Sequence, residues 1–272
     1  MNKKLRFLIG IVVLIALILF FRSRINSYDS SICSEFRIEF VDCDSVSYIT
    51  SEQIRDVVRV EYQSVEGAVI GDIDLEIIKD IIATNPYVSD VNVFKSLDAV
   101  ITAEINLRVP LMRVFDKKGN SYMVDKKGEI MPVPEGHSFY LICVTGNVLD
   151  FNPEFFGKRI QQLELKSSEG SEALNASWMI ASVLDRDPEF QELISQINVV
   201  TGDSIELIPA IGDFIITFGK PEELQEKLEK LKILYANIIP YVDMNQYTGV
   251  DITIKNQFVF QKNMLYETER EQ

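Results

Sequence analysis

His137 is the single histidine among 272 residues. It stands beside Ser138 in the loop Pro134-Glu135-Gly136-His137-Ser138, so a histidine-based triad would rest on those two neighbours. Adjacent residues rarely aim both side chains at one point, and the residues favour a solvent-facing loop histidine instead. Cys33, Cys43 and Cys143 are the only thiols. With one histidine they give no Cys-x-x-Cys or His-x-x-x-His spacing, which leaves zinc without a ligand set. Cys33 and Cys43 bracket an apparent strand, Ser34 to Asp42, that would hold them about 30 Å apart at about 3.3 Å per residue; if straight, it rules out a disulfide between them. Cys143 falls in the run FYLICV, where a buried, inert thiol is expected. Neither G-x-x-x-x-G-K-S/T nor G-x-G-x-x-G follows a strand, so the usual phosphate cradles are missing. Asp42-Cys43-Asp44 is too short for a calcium loop. Carboxylates are abundant, and spacing leaves open a glycosidase-like dyad with distant members. The residues therefore point to binding, with no catalytic residue, metal or cofactor, and a hydrolase as the lesser reading.

The elements that would present a binding surface follow from periodicity. Phe36, Ile38 and Phe40 alternate with Arg37 and Glu39, a half-buried strand. Thr50 with Gln53 reads as a capping box before a helix burying Ile54, Val57 and Val58. Asp74 caps a second helix whose Ile77, Ile78, Ile81 and Ile82 form one apolar stripe, ended by Asn85-Pro86. Val91 and Val93, then Ile101, Ala103, Ile105 and Leu107, give two more strands. Over residues 34–108 the order strand, helix, helix, strand, strand predicts a small sheet with both helices on one face.

Residues 109–262 are richer in strands. Leu111 to Phe115, Tyr122 to Asp125 and Ile130 to Val133 are separated by Lys118-Gly119-Asn120 and Lys127-Gly128-Glu129, a meander. Phe139 to Val144, Asn198 to Val200, Ile205 to Ile208 and Phe214 to Phe218 are further strands. Helices are expected at Pro153 to Leu165 and Ser171 to Leu184. Another follows Gly219-Lys220-Pro221, with Leu224, Leu228, Leu231 and Tyr235 inward and the pairs Glu223/Lys227 and Glu226/Lys230 outward. Gly249 to Lys262 reads as the last strand and 263–272 as a flexible acidic tail. The fold class is α+β.

Charge and hydropathy say where such a body sits. The chain has 27 Lys and Arg against 41 Asp and Glu, a net charge of −14. Residues 1–24 hold five bases and no acid, so the remainder carries 22 bases against 41 acids, or −19. Nucleic acid is excluded as a partner, because neutralising phosphates needs clustered bases. Phe7 to Phe21 contains no charge and is flanked by Lys4, Arg6, Arg22 and Arg24, which can snorkel to either interface of a bilayer. A cleaved signal peptide is the competing reading, but it needs small residues where Phe20, Phe21 and Arg22 stand. The excess of bases ahead of the span favours a cytoplasmic N-terminus and an acidic body outside the cytoplasmic membrane.

A last strand is a natural sheet edge whose free N–H and C=O groups accept a strand from another chain. Within Gln257-Phe258-Val259-Phe260 the two phenylalanines share a face; they fill the core or meet the partner. On this reading proline at Val259 removes a ladder donor and weakens partner binding while the first domain stays folded.

Three stretches carry a resemblance: Ile73 to Phe94 with Asn85-Pro86-Tyr87-Val88, Ile101 to Val114 with Arg108-Val109-Pro110, and Asn120 to Pro132 with Val124-Asp125-Lys126-Lys127-Gly128. With ITFGKPEELQEKLEKLKIL (Ile216 to Leu234), they stand in order behind the span, and the chain resembles the FtsQ/DivIB family of bacterial cell-division proteins over nearly its whole length. The resemblance implies a cytoplasmic segment at 1–6, a transmembrane signal anchor at 7–24, a polypeptide-transport-associated (POTRA) domain at 34–108 and a β domain at 109–262. It implies a bitopic, non-enzymatic scaffold at the division septum of the inner membrane. Its partners would be FtsB-like and FtsL-like coiled-coil proteins and, indirectly, the septal peptidoglycan synthase complex. The implied partner-binding residues are Lys220, Asp251, Thr253, Ile254, Lys255, Asn256, Gln257, Phe258, Val259 and Phe260, used by strand addition. Asp251-Ile252-Thr253 stands where many members carry Asp-hydrophobic-Arg, and Lys255 offers a positive charge at a different spacing. Lys220 matches a basic position common in the family. The alternative is an envelope assembly or transport component built on a similar POTRA unit, which usually has several such units or a membrane barrel.

Overall fold

Thr50 and Gln53 cap each other reciprocally in the computed structural model, the Thr50 hydroxyl accepting from the Gln53 N–H and the Gln53 side chain accepting from the Thr50 N–H. The structure describes residues 11–20, 29–41, 48–62, 64–163, 169–188, 190, 192–201 and 204–263, and the chain divides into two compact units, Met1–Leu107 and Arg108–Gln272. Residues 11–20 (α1) are helical with exposed apolar side chains, and no described helix is long and apolar enough to cross a membrane. The rest of the expected anchor, Cys43 and the expected tail beyond Asn263 lie outside the described residues.

The first unit runs β1 (Glu35–Val41), α2 (Ser51–Glu61), α3 (Leu75–Ala83), β2 (Val88–Lys95) and β3 (Val100–Leu107). The two helices return the chain to the end of the sheet where β1 finishes, so β2 starts there and runs antiparallel to β1, and β3, turning back, pairs parallel to β1. The short Ser96–Ala99 turn lets β2 and β3 pair antiparallel, giving the order β1-β3-β2. Phe36, Ile101, Ala103 and Ile105 pack with Ile54, Val58, Ile78, Ile81 and Ile82 in one core. Ile77 is corrected: it is 47% exposed, because a nine-residue helix turned to bury Ile78, Ile81 and Ile82 points its fourth isoleucine away. Asp74 caps α3 as its sequence position suggests, accepting from the Glu76 and Ile77 N–H groups. Cys33 is a free thiol in this core, and burial raises its pKa.

The second unit is built on a nine-stranded sheet. Its strands are β4 (Pro110–Phe115), β5 (Ser121–Asp125), β6 (Ile130–Met131), β7 (Ile142–Gly146), β8 (Ile194–Thr201), β9 (Ser204–Pro209), β10 (Ile215–Thr217), β11 (Tyr247–Asp251) and β12 (Val259–Lys262). Their order is β12-β11-β10-β9-β8-β7-β4-β5-β6. The meander of β4, β5 and β6 is as expected, but β7 returns to lie parallel to β4, and β8 parallel to β7. The helix α4 (Glu169–Arg186) makes the crossover from β7 to β8 and buries Leu174, Ala181 and Leu184. The helix α5 (Leu224–Ile233) lies in the connection from β10 to β11, another parallel pair.

Three expected elements need correction. Where a helix is expected over Pro153 to Leu165, the described residues to Leu163 form two single 3-10 turns, Pro153–Phe155 and Ile160–Gln162, separated by Gly157 at φ +74°. The strand expected from Phe139 begins only at Ile142, and Cys143 on it is partly exposed rather than buried, since it lies on the side of the strand opposite Ile142 and Val144. The helix after Lys220 starts at Leu224, three residues beyond Pro221, behind Glu223 in the left-handed region at φ +52°.

Candidate partner-binding edge

Gly249 to Lys262 is two strands joined by a loop, not one. Chain leaves β11 at Asp251, runs through Ile252 to Phe258 and returns antiparallel as β12. The loop is built from local bonds: the Thr253 N–H donates to the Asp251 carboxylate at 2.7 Å, the Gln257 N–H donates to the Ile254 carbonyl at 3.3 Å, and Asn256 takes φ +57°. Asparagine tolerates that conformation better than most residues. Of the expected site residues, Thr253, Ile254, Lys255, Asn256, Gln257 and Phe258 therefore belong to the loop, Asp251 ends β11, and only Val259 and Phe260 lie on β12.

Among the described residues β12 is the outer strand of its sheet. The Asn263 N–H donates to the Gln246 carbonyl across the pair at 2.7 Å. Backbone groups alternate sides along a strand, so Gln261 and Val259 also face β11, and Phe260 turns its N–H and C=O outward. Proline at Val259 is thereby corrected as a test of partner binding: the Val259 N–H serves the inner ladder opposite Asp251. The Phe260 side chain lies opposite buried Val250, partly packed on the core, with its ring 5.0 Å from that of Tyr247. Phe258 is likewise half-buried against the core, while Val259 is 41% exposed on the other face.

Two other margins are covered in part. Outside β6, the segment from Gly157 to Ile160 pairs back: the Ile130 N–H reaches the Lys158 carbonyl at 3.0 Å and the Gly157 N–H reaches the Ile130 carbonyl at 2.8 Å. On β1 of the first unit, the Phe36 N–H donates to the Glu66 carboxylate at 3.1 Å and its carbonyl accepts from Arg55 at 3.3 Å. Side chains thus occupy the backbone positions an added strand would need there.

Lys220, 31 residues before Asp251 in sequence, is gathered to this loop by two lysines that sequence reasoning had turned outward. Lys227 and Lys230 are only 8% and 9% exposed. The Lys227 ammonium donates to the Lys220 carbonyl at 2.6 Å and sits 4.9 Å from the centre of the Phe218 ring. Lys230 donates to the Ile252 and Ile254 carbonyls at 2.6 and 2.5 Å and lies 5.4 Å from the centre of the Phe258 ring. Burial pulls both lysine pKa values below their ordinary value, opposed chiefly by the Glu223 carboxylate at Lys227 and by the Asp251 carboxylate at Lys230. The expected pairs Glu223/Lys227 and Glu226/Lys230 are thus corrected; Glu226 instead meets the exposed Lys255 at 3.3 Å. Helical spacing alone suggested surface ion pairs, and the signal it concealed was a chain exit on each side whose carbonyls required donors.

Gly219 makes the close approach of the two exits possible. It holds φ +71°, and a Cβ there would stand 2.8 Å from the Thr253 methyl carbon. The exposed Thr253 thus lays its methyl group over Gly219 in the β10–α5 turn.

The Arg-x-Pro and Val-Asp-x-x-Gly motifs also meet. Buried Arg108 pairs with Asp125 at 3.2 Å and with Glu129, and Glu129 pairs in turn with Arg159 at 3.0 Å. Burial raises the Glu129 pKa, but hydrogen bonding and charge from Arg159 and Arg108 outweigh it, and the net shift is downward. Asp125 accepts from the Lys127 and Glu129 N–H groups, and its carbonyl accepts from Trp178 at 3.1 Å. Gly128, at φ +81°, lets that indole close over the turn, since a Cβ would stand 3.3 Å from Trp178 Cε2. These residues are a structural joint at the start of the second unit.

The His137 Nδ1 lies 2.9 Å from the Glu135 carbonyl oxygen. A groove of about 490 Å³ opens where β4, β7 and β8 begin; Asp185 and Glu192 line it, and Asp185 pairs with Lys126 at 2.7 Å. Among the described residues no group of three or more His, Cys, Asp or Glu could hold a metal ion.

A comparison with curated proteins found no match. Family models do match: a POTRA-like domain over residues 31–106, and the FtsQ/DivIB, C-terminal related domain over residues 109–260.

Proposed function

We propose, from the premise that this chain belongs to the FtsQ/DivIB family of cell-division proteins, that it is a membrane-anchored, non-enzymatic scaffold of the division machinery. Residues 7–24 hold it in the inner membrane, with residues 1–6 cytoplasmic and the acidic body outside. At the septum it binds FtsB-like and FtsL-like coiled-coil proteins and through them brings in septal peptidoglycan synthesis. A partner segment adds as a further strand beside β12.

The observation that carries this reading is the outward backbone of Phe260 on the terminal strand. The partly covered margins at β6 and at Phe36 of β1 support it, because they leave strand addition fewer alternatives. The loop residues Thr253 to Phe258 then act by shaping the approach to the edge rather than by pairing. The net charge of the body is consistent with protein recognition and gives polyanions no footing.

Two measurements test it together. The intact chain should form a midcell ring in dividing cells and co-purify with the FtsB-type and FtsL-type proteins of the same cell. An even distribution around the envelope, or failure to retain either partner, sinks the proposal.

A further inference from the structure

We infer that Lys230 is a positioning residue for strand addition, fixing from the α5 side the loop from which β12 starts. The inference rests on the reading of β12 as the receiving edge and names what sets that edge in place. β12 has four residues and a single neighbouring strand among the described residues, so its own ladder anchors it weakly. At the other end of the loop, Lys230 ties two carbonyls two residues apart, Ile252 and Ile254, to one ammonium. The same ammonium lies against the ring of Phe258, the residue immediately before β12. One side chain thus touches the beginning, the middle and the end of the seven-residue connection.

The alternative anchors are weaker. Lys255 meets Glu226 with its side chain 70% exposed, where solvent screens the pair. The Thr253 bond to Asp251 ties only the start of the loop to the end of β11, and the Gln257 bond to Ile254 is internal to the loop. The Ile252 N–H reaches the Thr217 carbonyl at 3.1 Å, but that bond continues the β10–β11 ladder, and beyond it Phe258 is held by apolar packing rather than by a hydrogen bond from α5. Lys230 is therefore the donor through which α5 sets the path of residues 252 to 258, and with it the position at which Phe260 presents its backbone.

The test uses the intact chain in detergent, with amide exchange read at residues 252–262 and, as a measure of global opening, across β8. Lys230→Met should speed exchange over 252–262 while β8 stays protected. It should weaken binding of the FtsB-type partner about tenfold, the scale of a lost hydrogen bond to a charged group. Lys230→Arg, which restores a charged donor, should recover most of both. If Met unfolds the unit, seen as loss of β8 protection, Lys230→Gln carries the same comparison. Normal exchange over 252–262 in the Met or Gln variant overturns the inference, as does a loosened loop that binds the partner with wild-type affinity. The edge reading fails separately: in that case the partner binds the wild-type chain without protecting the Phe260 amide.

Discussion

Arg108 shows how single residues can be read in sequence without their partners being visible. Arg108 and Asp125 belong to two motifs recognised separately, Glu129 follows directly on the second, and the fold joins all three through a buried guanidinium. Glu129→Gln should destabilise the second unit by about 3 kcal/mol at neutral pH, because it leaves part of that charge uncompensated. The sign of the pH dependence follows from the lowered pKa of Glu129. A carboxylate with a lower pKa folded than unfolded adds stability that is present above the unfolded value and is lost as pH falls through the folded one. The thermal stability of the wild-type chain should therefore fall as pH drops below about 4.5, and the Gln variant should show a shallower decline. An equal slope in both proteins would remove Glu129 from the acid response. Lys227 and Lys230 make the opposite point, since their spacing from glutamates suggested surface pairs while the chain exits from β10 and β11 drew them inward.

At the level of elements, the capping box, the Asp74 cap and the alternating strands of the first unit were legible because local bonds and periodicity determine them. The last strand was not. Residues 249–262 read as continuous because the loop keeps apolar residues at strand-like spacing, and only the pairing of Asp251 with Val259 reveals the reversal. That register changes the mutational test of the edge. Phe260→Pro removes an outward N–H, whereas Val259→Pro breaks the inner ladder. Compared with Phe260→Ala, which removes the ring alone, Phe260→Pro should weaken partner binding further with little added loss of stability. Equal binding by the two variants would argue against pairing through that amide. Gly219→Ala should loosen the same region by about 1–3 kcal/mol, through positive φ and the Thr253 methyl, read as a lower unfolding temperature.

For the molecule as a whole, the proposed function gives anchoring and recognition to separate segments, and they should separate in experiment. Replacing residues 1–24 with an unrelated single-span anchor of the same orientation should leave co-purification of the FtsB-type partner unchanged. Deleting residues 7–21 should instead move the chain to the soluble fraction after carbonate washing. Loss of partner binding in the anchor exchange would show that the span itself takes part in recognition. The sequence by itself determined the α+β class, the order of elements in the first unit and the acidic character of the body, because cap chemistry, side-chain periodicity and net charge are local or additive. It also supplied the motifs by which the family is recognised. Only the tertiary structure decided the parallel run of β4, β7 and β8, the inward turn of Lys227 and Lys230, and the outward face of Phe260. Each of those depends on pairing between residues distant along the chain, where the hydrogen-bonding needs of one strand are met by groups whose proximity no local spacing encodes.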